Sequence, residues 1–295
     1  MPANEASGAP MTTFDCTVHT PMGNIRLSET CGGGAPLVLL HGSGYSRKVF
    51  ARQFDSPLAA RHRLIALDLP GHGDSQDAVT AEDYQLPQMA KAVDLALKAR
   101  DVESAVVFGW SLGGHVAIEM LANSDRISGL MLTGTPPVAP GPLGMLRGFQ
   151  ATWDLLLATK EFFSQRDAER FFEMCFHGTG DPAFLEGILR TDGRVRTGVT
   201  RSLMQAIGVD QLRTVVDADV SIAMVNGENE PVARLSYIAG LAYANLWRNV
   251  CHVIPNAGHA PFWDQPDTFN RLLSQFAADC ADRQRNVPLP IAKSA

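Results

Sequence analysis

The chain has 295 residues, of which 45% are hydrophobic and 19% charged, with a formal net charge of −6. That length suits one main domain carrying an insertion, and the composition is that of a globular protein with a sizeable core rather than of a disordered chain. The acidic balance argues against nucleic acid as a partner, because affinity for a phosphate backbone comes mainly from Lys and Arg.

The first ten residues lack a basic region followed by an apolar core, so no secretory signal is expected, and no stretch approaches a membrane span. Met11 offers an alternative start. The five cysteines, at 16, 31, 175, 251 and 280, are odd in number and without C-x-x-C spacing. They read as free thiols of a reducing compartment, which predicts a cytoplasmic protein with no membrane partner. Oligomeric state is not legible.

In chain order, an opening hairpin is expected at 14–20 and 24–29, joined through Pro21-Met22-Gly23. Further apolar runs predict strands at 37–40, 63–67, 105–108, 129–133, 221–226 and 249–254. Helical patterns fall near 88–99, 112–122, 232–242 and 268–279. The alternation predicts an α/β fold with a mainly parallel, eight-stranded sheet flanked by helices. One interval breaks it. Between about 140 and 217 there are only helical patterns, at 144–159, 162–175 and 196–207, which predicts an inserted helical cap. The expected organisation is a core over 12–138 and 218–283, a cap over 139–217, and loosely ordered ends at 1–11 and 284–295. The cap is rich in Phe and Met, among them Met145, Phe149, Trp153 and Phe176. These side chains either line an apolar pocket or hold the cap helices together.

The segment Gly109-Trp110-Ser111-Leu112-Gly113 directly follows a strand and opens a helix, which is the pattern of a nucleophile elbow. The glycines two residues either side of Ser111 let strand and helix pass closely. A serine needs a base to take its proton and a third group to orient that base. His259, in the small-residue loop Asn256-Ala257-Gly258-His259 after the last strand, is the best placed of the eight histidines. The loop Gly227-Glu228-Asn229-Glu230-Pro231 offers two carboxylates, and Glu228 sits close to the strand end. Amide donors for an oxyanion are expected from Leu112, at the helix start, and from Ser43 in the loop His41-Gly42-Ser43-Gly44, with Gly42 shaping the turn. The run Asp68-Leu69-Pro70-Gly71-His72-Gly73-Asp74-Ser75 reads as loop architecture. His72 and Asp74 match no metal-ligand spacing, so neither a metal nor any other cofactor is expected.

Taken together, these segments resemble the α/β-hydrolase superfamily over nearly the whole chain. More narrowly, the chain resembles the cap-bearing α/β-hydrolase lactonases that open N-acyl homoserine lactones, the bacterial quorum signals. That likeness rests on the run from Val107 to His115, Thr133-Gly134-Thr135-Pro136-Pro137-Val138, Arg190-Thr191-Asp192-Gly193-Arg194, Val225-Asn226-Gly227 with Glu230-Pro231, Asn245-Leu246-Trp247, and Asn256 to Phe262. It implies a catalytic triad of Ser111, Glu230 and His259, since the acid of such relatives lies three residues after the glycine. The other position that some families use, Gly134-Thr135-Pro136-Pro137-Val138, holds no carboxylate. It also implies substrate-pocket positions at Trp110, Phe171 and Pro137. Two residues depart from the pattern: Ser43 stands where relatives carry Asn, and Phe171 where they carry a cap tyrosine. The expected activity is metal-independent serine hydrolysis of a small hydrophobic lactone or carboxylic ester through an acyl-enzyme, with an N-acyl homoserine lactone as the leading substrate. The alternatives are a general carboxylesterase, a carbon–carbon bond hydrolase, and a non-catalytic receptor for a small ligand.

Overall fold

The computed structural model describes residues 12–152 and 154–286. The eight strands are β1 Thr13–Thr20, β2 Gly23–Thr30, β3 Gly34–Leu40, β4 His62–Leu67, β5 Ala105–Trp110, β6 Ile127–Thr133, β7 Ser221–Gly227 and β8 His252–Ile254. They form one sheet in the order β1-β2-β4-β3-β5-β6-β7-β8. The pairs β1/β2 and β2/β4 are antiparallel, and every other neighbouring pair is parallel. All six residues of β5 are buried, as a central parallel strand covered on both faces requires.

Strand alternation divides the core into two layers. Val38, Leu40, Ile65 and Leu67 face one side, where helix Leu86–Lys98 buries Leu86, Met89, Ala90, Val93 and Leu97 at helical spacing. Leu37, Leu39, Leu64 and Ala66 face the other, against Phe269, Leu273, Phe276, Ala277 and Cys280 of helix Pro266–Asn286. All five cysteines are free. Among the described residues no helix is long and apolar enough to cross a membrane.

Between β6 and β7 the described residues carry no strand, only the helices Pro142–Gly148, Gln165–Phe176, Phe184–Arg190, Arg194–Gln205 and Gln211–Val216 with a 3-10 segment at Asp154–Thr159. The single helix expected over 144–159 is therefore broken. Phe149 leaves it to bridge Ala233, and the Gln150 amide donates to the Val232 carbonyl at 2.8 Å, so tertiary pairing overrides helical continuation. Trp153 lies outside the described residues, as do 1–11 and 287–295. The helix expected over 232–242 shrinks to Leu235–Ala239, between Pro231 and Gly240. Strand β8 keeps only three residues, because Arg248 and Asn249 adopt positive φ (both 54°) in the preceding turn. The closing helix continues to Asn286, past the boundary expected at 283. No Gly or Pro interrupts its pattern until Pro288.

Candidate active site

Ser111 follows β5 and precedes helix Leu112–Asn123 with φ 53° and ψ −116°, a backbone state that L-residues rarely adopt. Such strain persists only where neighbours over-determine it. Here the Ser111 amide donates to the Thr133 carbonyl (2.9 Å), and Thr135 Oγ1 donates to the Ser111 carbonyl (2.9 Å). The helix start also abuts two strand ends. A Cβ on Gly113 would lie 2.2 Å from the Leu40 carbonyl oxygen, and one on Gly114 would lie 2.1 Å from Thr135 Oγ1. Glycine at these positions is what lets the turn sit between β3 and β6.

Across the carboxyl edge of the sheet, His259 Nδ1 donates to Glu230 at 2.8 Å (Oε1) and 3.0 Å (Oε2). A carboxylate only accepts, so Nδ1 carries the proton and Nε2 of the neutral ring keeps its lone pair. The pair is shut away from solvent, with side-chain exposures of 2% and 0%. Burial pushes the Glu230 carboxyl up. The adjacent imidazole and the Val232 and Ala233 amides (2.8 and 3.1 Å) outweigh burial and hold it below the usual carboxylate range. Glu228 is exposed and accepts from the Asn256 amide instead (3.3 Å), so of the two carboxylates Glu230 meets His259.

The imidazole is fixed from behind. Trp110 Nε1 donates to the His259 carbonyl (2.8 Å), with the two rings 5.5 Å apart. Gly134 packs flat on the imidazole, where a Cβ would fall 2.4 Å from His259 Cε1. Trp110 is thus fully buried and braces the His259 backbone. Pro137 is also buried, and its carbonyl accepts from Tyr237 Oη at 2.8 Å.

The loop after β3 lies against the same indole. Gly42 leaves 3.0 Å between the place of its missing Cβ and Trp110 Cε3, and the Gly113 contact with Leu40 brings the helix start alongside. Among the described residues the Ser43 amide donates to no acceptor, and the Leu112 amide belongs to the unpaired first turn of its helix. Both are therefore available to an oxyanion. His41 holds the loop through Nδ1–H to the Gly42 carbonyl (2.8 Å), while its Nε2 accepts from the Leu69 amide (2.9 Å). Asp68 takes the Arg47 and Asp74 amides (2.7 and 2.8 Å) and the Arg47 guanidinium, which also pairs with Asp74 at 2.9 Å. That network makes 68–75 architecture. Phe171, on helix Gln165–Phe176, reaches over the loop, with its Cε1 3.4 Å from the place a Gly44 Cβ would take.

Two supporting roles escaped the sequence reading. Gln150 Nε2 donates to the Glu230 carbonyl (2.7 Å), and Asn226 Oδ1 accepts from the Gly134 amide (2.8 Å). Asn226 had a readable signal as a polar residue ending an apolar strand. Gln150 had none, because its role depends on a helix breaking.

A family model described as the alpha/beta hydrolase family matches residues 37–272. A pimeloyl-[acyl-carrier protein] methyl ester esterase of Nitrosomonas europaea is 30% identical over 251 residues, covering 82% of this chain and 95% of the relative. Among solved structures, the N-acyl homoserine lactonase AidH in complex with N-butanoyl homoserine superposes with a TM-score of 0.88 at 37% identity, covering 94% of this chain and 99% of that one. A complex of a substituted AidH with N-hexanoyl homoserine lactone gives 0.88 at 38% identity, covering 91% and 99%. An esterase from Exiguobacterium antarcticum, 19% identical with a TM-score of 0.72 over 90% of this chain and 100% of its own, shares the fold.

Proposed function

The chain belongs to the alpha/beta hydrolase family, and from that premise we propose that it is a serine hydrolase in which Ser111, His259 and Glu230 open a lactone or cleave a carboxylic ester. The carrying observation is the buried His259–Glu230 bond (2.8 Å) on the same sheet edge as the strained Ser111 turn. His259 Nε2 takes the Ser111 proton as Oγ attacks the carbonyl carbon. The Ser43 and Leu112 amides hold the developing oxyanion, and Glu230 stabilises the imidazolium. The imidazolium then protonates the leaving alkoxide. Water, deprotonated by the same Nε2, attacks the acyl-enzyme and frees Ser111. In a lactone the alkoxide stays tethered, so water must arrive before the ring recloses.

The substrate reading we favour is an N-acyl homoserine lactone, supported by likeness to AidH across at least nine-tenths of both chains. A second reading, hydrolysis of an acyl methyl ester, is supported by the 30% identical curated relative. Mass spectrometry of products from homoserine lactones of graded acyl length and from matched methyl esters separates the two. Mass gain of one water on the lactones is the expected result. Ser111→Ala is expected to lower kcat by about 10⁴-fold or more. Full turnover in that variant would overturn the mechanism.

A further inference from the structure

Helix Gln165–Phe176 of the insertion ends against the loop that carries His259, and three consecutive residues there reach three parts of the candidate site. Cys175 is buried, and burial together with the nearby Glu230 carboxylate pushes its thiol up to about 12. The Phe176 ring packs edge-on to Trp110 at 5.8 Å, and that indole holds the His259 carbonyl. His177 covers Gly258, the residue before His259. A Cβ on Gly258 would fall 2.5 Å from His177 Cδ2 and 2.7 Å from its Nε2.

The chain is bent to make this contact. The His177 amide closes the helix on the Glu173 carbonyl (2.8 Å), His177 turns left-handed at φ 46° and ψ 44°, and Gly178 follows at φ 73°. Left-handed residues stop a helix and reverse its direction. Thr179 is thereby swung back to the core, where its hydroxyl donates to Asp264 Oδ1 (2.8 Å) and its carbonyl accepts from Trp263 Nε1 (2.8 Å). The other oxygen of Asp264 accepts from the Gly258 amide (2.8 Å). One peptide beside His259 is thus tied through its N–H and covered by a ring of the insertion.

Gly258 has no left-handed φ, so the backbone itself does not demand glycine there, and what excludes a side chain is the His177 ring. His177 is an exposed residue, so its ring fills no space in the core. Removing it should cost little stability. What it does is limit the movement of the residue that precedes His259.

We propose that His177 is a positioning residue supplied by the helical insertion: its ring holds the Gly258–His259 peptide in place, so that His259 keeps the orientation proton transfer requires while the end of helix Gln165–Phe176 is seated. This rests on the reading of Ser111 as nucleophile and His259 as base. It has a signature that loss of fold lacks. An alkoxide leaving group needs a proton from the imidazolium, whereas p-nitrophenolate departs without one, so a tilted imidazole slows alkoxide-leaving substrates more.

His177→Asn tolerates the left-handed turn and removes the ring. On N-butanoyl homoserine lactone or methyl butanoate it is expected to lower kcat about tenfold, with KM within about twofold of the parent and the melting temperature within about 2 °C. Relative to p-nitrophenyl butanoate, kcat/KM on those substrates should fall about threefold or more. Gly258→Ala pushes the same ring aside, so the double variant should lose no more than either single one. A kcat within about twofold of the parent, or an equal loss on both kinds of substrate, overturns the proposal. If the parent turns over none of these substrates, the hydrolase reading fails by itself, and the low-field proton resonance of His259 Nδ1–H decides the positioning. That signal should broaden in His177→Asn through faster exchange with water, and an unchanged signal overturns the proposal.

Discussion

Ser111 is the residue at which local chemistry and global fold pull in opposite directions. A serine at φ 53° stores about 1–3 kcal/mol of strain, which glycine would not. Ser111→Gly and Ser111→Ala should therefore both be inactive, with Ser111→Gly melting higher. Calorimetry of the pair checks this, and equal melting temperatures would mean that the turn is relaxed. The proposed nucleophile and base were legible as residues, because G-x-S-x-G and a histidine after the last strand each leave a local signature. For the proposed acid the loop offered Glu228 and Glu230, two residues apart, and Glu230 was favoured by its spacing to the glycine and by the nearness of Glu228 to the strand end. The strand-to-loop geometry sends Glu228 to solvent and Glu230 to His259.

At the scale of elements, helix Leu112–Asn123 carries more than the start of the site. Nine of its twelve residues are buried, among them Glu119, whose Oε1 accepts from the Val209 amide (3.0 Å) and whose Oε2 has no partner. Burial pushes this carboxyl up to about 7. A carboxyl whose pKa is higher in the folded state keeps its proton there while the unfolded chain, at about 4.3, has lost it. Stability from this group is thus complete below about 4.3 and declines as pH rises to about 7. Glu119→Gln stays neutral, and its melting temperature relative to the parent should improve by about 2 °C or more between pH 5 and pH 8. Thermal scans at the two pH values test it, and a constant difference would refute a buried ionisation. Long elements with unbroken periodicity, such as this helix and Pro266–Asn286, could be read from sequence. Short ones such as Leu235–Ala239 were placed but not bounded, because a few residues carry too little period to fix where a helix starts and stops.

For the whole molecule, the helical insertion is tied to the sheet domain at Asp192. Its carboxylate accepts from Tyr84 Oη (2.8 Å) and from the Arg194 guanidinium (2.6 Å), while its amide holds Gly71. Asp192→Ala should loosen the insertion, raise KM, and speed proteolytic cleavage within residues 139–217, with a melting temperature lowered by about 2–4 °C. An unchanged cleavage rate would show that this tie does not hold the insertion. Sequence by itself determined the strand-and-helix alternation, the helical interruption, the tight turn at Ser111 and the chain order of the proposed serine, acid and base. These are written in periodicity and in glycine placement, which act over a few neighbouring residues. What only tertiary structure decided is which polar groups are left facing one another. Gln150 comes to the loop of Glu230 because a helix breaks at Phe149, and Asp192 comes to Gly71, 121 positions earlier in the chain, because a turn of the insertion docks there. Contacts of that range depend on how separate elements pack, and no local pattern encodes them.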